Sequence, residues 1–398
     1  MPKKTIQDLT NLQGQRVLIR VDFNVPLDDQ GHISNDRRIR AALPTIQYLL
    51  ERGASSIVMS HLGRPKGDPK KDAIYRMDRV AQRLGELLQK TVAKTDEVVG
   101  EKVRTAANNL KPGQALVLEN LRFHPGEQKG DETFAHQLAG LGDVYVNDAF
   151  GTCHRSDASM VAVPRAMAGK RRVVGFLVAK ELEILGKLLS SPHRPLMGIL
   201  GGAKVSDKIG FMKRLLNQVD RLLIGGAMSY TFMKAQGRSV GNSRVEADKL
   251  DVAQEILALG RQKIALPEDH LVVERLDSPH EAKVVIGDIP EGWVGVDIGP
   301  KTIAQYEQEI AKAGMVVWNG PMGKFEDEAY SRGTRAMAEA LARCPGVTVV
   351  GGGETAEAVE EFGIAERMNH VSTGGGAFLE YIEGTPFPAL DQIEDKTP

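Results

Sequence analysis

The stretch VTVVGGG (347–353), with a helical pattern running on through 356–362, decides the fold. Four β-branched residues in a row, without polar alternation, describe a strand buried on both faces, which is the habit of parallel sheets. The glycines then turn the chain into a helix. The same signature recurs upstream as RVLIRVDFN (16–24), SSIVMSH (55–61), ALVLEN (115–120), DVYVNDAF (143–150), PLMGILGG (195–202), RLLIGG (221–226) and MVVWNGP (315–321), and downstream as HVSTGGG (370–376). Residues 329–342 read as a further helix. Strand–helix alternation of this kind predicts an α/β fold with parallel sheets.

The alternation breaks once. FLVAKELEILGKLLSS (176–191) has apolar residues at helical spacing, and PHRP (192–195) stops it. The strand–helix pattern then restarts. This predicts one domain over 1–180, a joining helix, and a second domain over 181–385. The tail, 386–398, is too polar and proline-rich for a core strand; it either packs back on the first domain or frays.

The totals narrow the class. The chain has 398 residues, 42% apolar and 26% charged, which is enough for two or three domains with sizeable cores. Its 42 glycines and 19 prolines exceed average usage but fall short of a low-complexity chain. No apolar run approaches the length of a membrane span, and MPKKTIQDLTNLQG lacks the hydrophobic region of a secretory signal. Cys153 and Cys344 form neither a zinc pattern nor a disulfide framework. A cytoplasmic protein with no membrane partner is expected. The net charge of −1 conceals an asymmetry: residues 1–180 carry 28 basic and 20 acidic side chains, the remainder 23 and 32. A basic half joined to an acidic half suggests that the first half handles an anion. The imbalance is too mild for a nucleic-acid surface, and no basic run interleaved with aromatics supports one.

In open parallel sheets ligands bind beyond the carboxyl ends of the strands. In the first half those ends hold Asp22, Asn24, His61, Arg64, Glu119, Arg122, His124, Asn147, Asp148, His154 and Arg155, with Arg37, Arg38 and Arg40 after the first strand's loop. Each arginine alone is most simply a solvated loop residue. Several guanidinium forks on consecutive strand ends describe a pocket for a small, multiply charged anion.

The second half's ends are glycine turns: Gly201-Gly202, Gly225-Gly226, Gly351-Gly352-Gly353 and Gly374-Gly375-Gly376. Glycine admits close approach of a ligand, and a helix N-terminus offers free N–H groups to phosphate, so four such turns point to a polyphosphate. Lys204 and Lys208 share one face if GGAKVSDK begins a helix, and there they would meet phosphate oxygens. No GxxxxGK[ST] string occurs. GxGxxA at Gly351, Gly353 and Ala356 is a degenerate dinucleotide fingerprint, but the next strand ends in Ser372-Thr373-Gly374 rather than in the ribose-binding acid. His61, His124 and His154 lack zinc spacing, and no GxSxG appears. Glu326 and Glu354 suit a nucleotide or Mg²⁺, which takes one or two carboxylates plus phosphates. An anion pocket facing a nucleotide pocket across a hinge implies phosphoryl transfer. A nucleotide-linked oxidoreductase and a non-catalytic binding protein are the rival readings.

RVDFNVP, RIRAALPTI, SHLGRP, LENLRF, DAFGTCHR, GGAKVSDK, WNGPMGKFE, GGGET and STGGGAFLE together resemble, in order and over essentially the whole chain, the signature segments of the phosphoglycerate kinases. The resemblance implies a monomeric glycolytic enzyme with two Rossmann-like domains that close around 3-phosphoglycerate and ATP, with Mg²⁺. By motif it assigns 3-phosphoglycerate to Asp22, Phe23, Asn24, Arg38, His61, Leu62, Gly63, Arg64, Arg122 and Arg155. It assigns the nucleotide to Lys204, Lys208, Gly295, Asn319, Glu326, Gly352, Gly353, Glu354 and Thr355. Arg38, Lys208 and Gly375, within the turn Gly374-Gly375-Gly376, would serve the transferred phosphoryl group, and Glu354 the metal. One position departs from the family pattern: GGGDT, whose Asp binds the metal, is GGGET here, and the added methylene lengthens the reach of the carboxylate.

Overall fold

The computed structural model describes residues 2–277 and 281–396. Two compact units divide the chain, Met1–Glu183 with Pro386–Pro398, and Ile184–Thr385. Each is built on its own six-stranded parallel sheet.

The first sheet consists of β1 (Arg16–Val21), β2 (Ser55–Met59), β3 (Val92–Lys94), β4 (Ala115–Val117), β5 (Val144–Asp148) and β6 (Arg171–Val174), in the order β3-β4-β2-β1-β5-β6. β1 lies between β2 and β5, with Leu18 level with Ile57 and Tyr145. Both neighbours are buried along their whole length, as strands covered on two faces must be. β3 and β6 are absent from the sequence reading because three residues, or a pair of arginines before two valines, give too little apolar pattern. The helix Arg37–Glu51 turns Ile39, Ala42, Ile46, Leu49 and Leu50 into the core that holds Val17, Ile19 and Val21. That burial fixes its first turn, and with it Arg38, beside the end of β1. Residues 386–396 pack on this unit: the Phe387 ring lies 5.7 Å from Phe150, and the Lys4 N–H donates to the Glu394 carbonyl at 2.8 Å. Residues 397–398 of the tail lie outside the described residues.

In the second unit the chain forms β7 (Leu196–Leu200), β8 (Arg221–Ile224), β9 (Ile264–Ala265), β10 (Asp269–Val273), β11 (Lys283–Ile286), β12 (Val294–Ile298), β13 (Met315–Asn319), β14 (Val347–Gly351) and β15 (His370–Val371). Its parallel sheet runs β15-β14-β13-β7-β8-β9, with Trp318 fully buried among Ile199, Leu223, Met337 and Val350. β10, β11 and β12 form a separate antiparallel sheet, an addition to the two parallel sheets expected. Its edge strand β11 is largely exposed, and no glycine turn and helix follow it, so the pattern that marks the other strands is missing. No helix among the described residues is long and apolar enough to cross a membrane.

The helix Phe176–Ser190 starts on buried side chains of the first unit. Asp148, at the end of β5, accepts the N–H groups of Leu177 and Val178 at 3.0 and 3.4 Å, and the Thr45 hydroxyl accepts that of Phe176 at 2.9 Å. A carboxylate at a helix start is electrostatically favoured, but here burial wins. It pushes the Asp148 carboxyl up to about 7, against the Thr45 hydroxyl and the two amides that favour the ionised form. A folded-state value above the ordinary one, near about 4, means that the folded protein holds this proton more tightly. The group's contribution to stability is therefore full in acid and is lost as pH rises from about 4 towards about 7. Asp148→Asn keeps an acceptor for the amides and cannot ionise. Its urea-unfolding midpoint should gain on the wild type between about pH 5 and about pH 8; an equal difference at both values would contradict the assignment.

Candidate active site

The carboxyl end of the first sheet gathers the cationic residues. Arg38 forms an ion pair with the buried Asp22 carboxylate, just past the end of β1. Burial alone would raise the Asp22 carboxyl; Arg38, His61, Arg20 and the Asn24 N–H outweigh it and hold it well below the usual range. The Asn24 side-chain carbonyl accepts the Gly63 N–H at 2.7 Å, which ties the loop after β1 to the loop after β2. The Phe23 N–H donates to the Ser60 hydroxyl at 2.8 Å and completes the join. Arg122 donates to the Gly63 carbonyl at 2.7 Å. With Arg64 and Arg155 it lines an open pocket of about 430 Å³, bounded also by Pro65, Gln128 and Asp157. Burial, then Arg155, with smaller parts from Arg20 and Arg64, pushes the Arg122 guanidinium below its ordinary value, against the pull of Asp157. Such a pocket calls for an anion.

Asn120 holds this floor together. Its amide donates to the carbonyls of Leu62 and Tyr75 at 2.7 and 2.9 Å, and its oxygen accepts the N–H groups of Leu62 and Arg122 at 3.2 and 3.1 Å. The remaining strand-end residues turn to the framework. Glu119 accepts the N–H groups of Met77 and Asn120 and pairs with Lys94 at 2.8 Å. His124 stacks on Phe134 with ring centroids 4.0 Å apart, and the Asn147 side chain packs with Cys153. Arg40 joins Asp36 and Arg83 instead of Asp22.

The second unit presents backbone where the first presents charge. The loops after β7, β8 and β13 are woven together: the Gly202 N–H donates to the Pro321 carbonyl, the Gly226 N–H to the Met322 carbonyl and the Met228 N–H to the Gly202 carbonyl, at 2.8 to 3.0 Å. Gly320 has φ +95°, and a Cβ there would sit 2.3 Å from the Gly201 carbonyl and 2.5 Å from the Lys208 ammonium, so no side chain fits. Asn319 and Thr355 are buried and spend their side chains on these turns. The Asn319 amide donates to the Gly351 carbonyl at 2.9 Å, and the Thr355 hydroxyl accepts the Gly320 N–H at 2.6 Å. Lys208 rests on the carbonyls of Gly201 and Asn319, 2.7 and 3.2 Å away. Burial brings its ammonium down to about 8, although Glu354 and Asp207 pull the other way. Lys204 and Lys208 do not share a helical face, because the helix Ile209–Leu216 begins only after them. Glu246 accepts the N–H groups of Val205 and Ser206 and the Ser206 hydroxyl, which holds the start of the 3₁₀ turn Ser206–Lys208 ahead of that helix. Gly295 lies in β12 with its N–H given to the Ser243 hydroxyl at 2.9 Å. Glu326 and Glu354 are exposed, Glu354 in the first turn of the helix Gly353–Glu361. Gly375 lies at the start of the helix Gly376–Glu383.

The model of the phosphoglycerate kinase family matches residues 6–385. The chain belongs to the phosphoglycerate kinase family. The enzyme of this name from Moorella thermoacetica is 50% identical over 401 residues, the whole of both chains. That of Anaeromyxobacter sp. is 51% identical over 399 residues, covering 99% of this chain and 100% of its own. Among solved structures, phosphoglycerate kinase from Coxiella burnetii superposes with a TM-score of 0.86 at 39% identity over 98% of both chains. The same enzyme from Pyrococcus horikoshii gives 0.85 at 33% identity, again over 98% of both. The protein is a phosphotransferase with a carboxyl group as acceptor. It transfers phosphate reversibly between 1,3-bisphosphoglycerate and ADP, giving 3-phosphoglycerate and ATP in glycolysis. The rival oxidoreductase and non-catalytic readings fall away.

Sequence reasoning passes over Asn120 as a residue with a role of its own, although it lies inside the LENLRF motif; it passes over Glu246 because nothing in its neighbourhood marks it. Gly63 illustrates how strictly the acceptor floor is built: its φ is +61°, and a Cβ would lie 2.2 Å from the Tyr75 ring. Gly63→Ala displaces both the N–H held by Asn24 and the carbonyl held by Arg122. It is expected to raise KM for 3-phosphoglycerate about tenfold with KM for ATP unchanged, in steady-state assays; an unchanged KM for 3-phosphoglycerate would show that the floor is not part of the site.

Proposed function

We propose that 3-phosphoglycerate binds through Asp22, Phe23, Asn24, Arg38, His61, Leu62, Gly63, Arg64, Arg122 and Arg155, and ATP through Lys204, Lys208, Gly295, Asn319, Glu326, Gly352, Gly353, Glu354 and Thr355. The observation that carries this reading is the pocket walled by the guanidinium groups of Arg64, Arg122 and Arg155, electrostatically continuous with His61. Forks of this kind match phosphate and carboxylate oxygens two at a time. Burial of the Asn319 and Thr355 side chains gives them a shaping role, and the Gly202, Gly226 and Gly320 N–H groups are spent within the loops, so Lys208 and the amides that start the helices Gly353–Glu361 and Gly376–Glu383 are left to meet the phosphates.

The family's reaction is a direct in-line transfer after hinge closure, so the enzyme positions groups and balances charge rather than forming a covalent intermediate. A carboxylate oxygen of 3-phosphoglycerate attacks the γ-phosphorus, and being ionised already it needs no general base. Arg38, steadied by Asp22, orients that carboxylate and offsets charge on the moving group. Lys208 leaves its carbonyl partners for the phosphoryl oxygens, and the N–H groups of Gly375 and Gly376 complete the cage, that of Gly374 being held by the Ser372 hydroxyl at 3.0 Å.

Magnesium fits one residue of this chain. No cluster of three or more His, Cys, Asp or Glu able to hold a metal occurs among the described residues, and Glu354 is an exposed carboxylate with electrostatic pull on Lys208. One carboxylate plus phosphate oxygens is a common donor set for Mg²⁺, and the ion so held offsets phosphate charge. We infer further that the enzyme acts as a monomer in the cytoplasm on small molecules alone, with no nucleic-acid or membrane partner. The dissolved substrates of glycolysis and a pocket sized for a small anion support that setting.

The primary test is ADP formation from Mg-ATP and 3-phosphoglycerate. Arg38→Ala should lose roughly 10²–10³ in kcat, the cost of one transition-state donor; a loss below about tenfold with the fold intact removes Arg38 from its role. Glu354→Gln should raise the Mg²⁺ concentration for half-maximal rate by about tenfold or more, with KM for 3-phosphoglycerate unchanged. An unaltered Mg²⁺ dependence would take the metal away from Glu354.

A further inference from the structure

His61 lies at the end of β2, only 2% exposed, and what it offers a ligand depends on which ring nitrogen carries the proton. The answer lies beneath it. Arg20, inside β1 and wholly buried, places Nη2 3.1 Å from His61 Nδ1. A guanidinium has donors only, so Nδ1 must be the acceptor and the ring proton sits on Nε2. The rest of Arg20 is anchored: Nε donates to the Ser159 hydroxyl at 2.9 Å, and Nη1 to the Val21 carbonyl. Since the Ser159 oxygen accepts from Arg20, its own proton goes to Glu127, which also accepts the Ser159 N–H at 3.0 Å. Glu127 is fully buried as well. The Tyr145 hydroxyl fixes Ser159 from the other side, donating to its carbonyl at 2.8 Å.

We propose that Arg20, braced by Glu127 through Ser159, is a positioning residue that fixes His61 in its Nε2–H tautomer, as a hydrogen-bond donor to 3-phosphoglycerate. None of the three is among the residues assigned to either ligand above. Donation runs outward from Arg20, to His61 on one side and through Ser159 to Glu127 on the other, because a guanidinium cannot accept. The charged groups that face the ring agree. Burial lowers the His61 imidazole, Arg20, Arg122 and Arg155 lower it further, and only Asp22 opposes, leaving it at about 3. The ring therefore stays uncharged across the working range, and Nε2–H is its only donor. A buried guanidinium costs far too much without a partner, and the buried carboxyl nearest through Ser159 is Glu127: burial raises it, while Arg20 and the Ser159 hydroxyl and N–H favour its ionised form.

The inference rests on His61 touching 3-phosphoglycerate, so two measurements separate the parts. First, histidine ¹⁵N NMR of the wild-type full chain, with His61 assigned by comparison with His61→Gln, reads the tautomer without any substrate. A protonated Nε2 and a bare Nδ1, unchanged from about pH 5 to about pH 8, is expected; a protonated Nδ1, or a ring that titrates within that range, overturns the proposal. Second, the double variant Arg20→Met with Glu127→Gln removes both charges together, and Ser159→Ala breaks the brace while keeping both. The double variant should raise KM for 3-phosphoglycerate about tenfold, leave KM for ATP unchanged, and bring an acid limb near the ordinary histidine value of about 6.5 into the pH profile of kcat/KM. Ser159→Ala should move the same way by less. A folded double variant with neither the KM change nor the new limb overturns the positioning role, and if it does not fold, the wild-type tautomer and Ser159→Ala still decide. Should His61→Gln itself leave KM for 3-phosphoglycerate untouched, the substrate assignment fails while the tautomer result stands.

Discussion

Like charges in one small hollow are the problem around which the first unit is arranged. Arg20, Arg38, Arg64, Arg122 and Arg155 converge on the carboxyl end of a sheet whose strands, being parallel, all deliver their loops to one edge. Burial, with mutual repulsion added to it, already pushes Arg122 below its ordinary value. Three carboxylates answer it: Asp22 on Arg38, Glu127 behind Ser159 and Arg20, and Asp157 near Arg122. Five guanidinium groups against at most three carboxylates leave the hollow positive, which suits the phosphate and carboxylate of the substrate proposed for it. In that field a further cation on His61 would be costly, which is why an uncharged ring and a fixed tautomer belong to the same design.

The second unit solves a different problem by a different route. Its polar side chains, Asn319 and Thr355, hold loops to one another instead of reaching outward, and Glu246 restrains the segment between Lys204 and Lys208. A polyphosphate met by backbone amides must come within hydrogen-bond range of the main chain, so the turns exclude Cβ atoms where three loops already touch. At Gly320 the obstruction is the Gly201 carbonyl and the Lys208 ammonium together, and the position admits no compromise. On the proposed assignment, the electrostatic contrast between the halves of the sequence is a contrast between recognition by side chains and recognition by main chain.

Much of this was legible in the sequence, for reasons that can be named. Strands such as VYVND and MVVWN are buried throughout and read as uninterrupted apolar runs; their loops fall at one edge by topology alone, which is how Asp22, His61, Arg64, Arg122 and Arg155 could be listed together. What escaped lacks a local signal. β10, β11 and β12 pair with one another rather than with the main sheet, and β3 is three residues long. Lys204 and Lys208 share a face only if GGAKVSDK begins a helix, and the regular helix starts at Ile209; Glu246, some 40 residues along the chain, holds the 3₁₀ turn that comes before it. Glu119 and His124 have the chemistry of a site, but Lys94 and Phe134 claim them. Sequence spacing shows which residues can converge; only packing shows which of them are already satisfied.

The same distinction bears on the one departure from the family's motif. Thr355 is buried, bonded to Gly320 and fixed to the turn, so its side-chain position is dictated by the fold. Glu354, its neighbour, is exposed in the first turn of the helix Gly353–Glu361, where the helix dipole favours a carboxylate of either length. Around it Glu326, Glu357, Glu360 and Glu361 make an acidic patch whose crowding adds to burial in raising the Glu357 carboxyl. Had the added methylene fallen at a packed position, overpacking would have moved the turn and the amides with it. At an exposed helix start the extra length is absorbed by side-chain rotation, and the turn formed by Gly351, Gly352 and Gly353 keeps its shape. The fold therefore tolerates Asp or Glu here, and the difference between them is one of carboxylate reach.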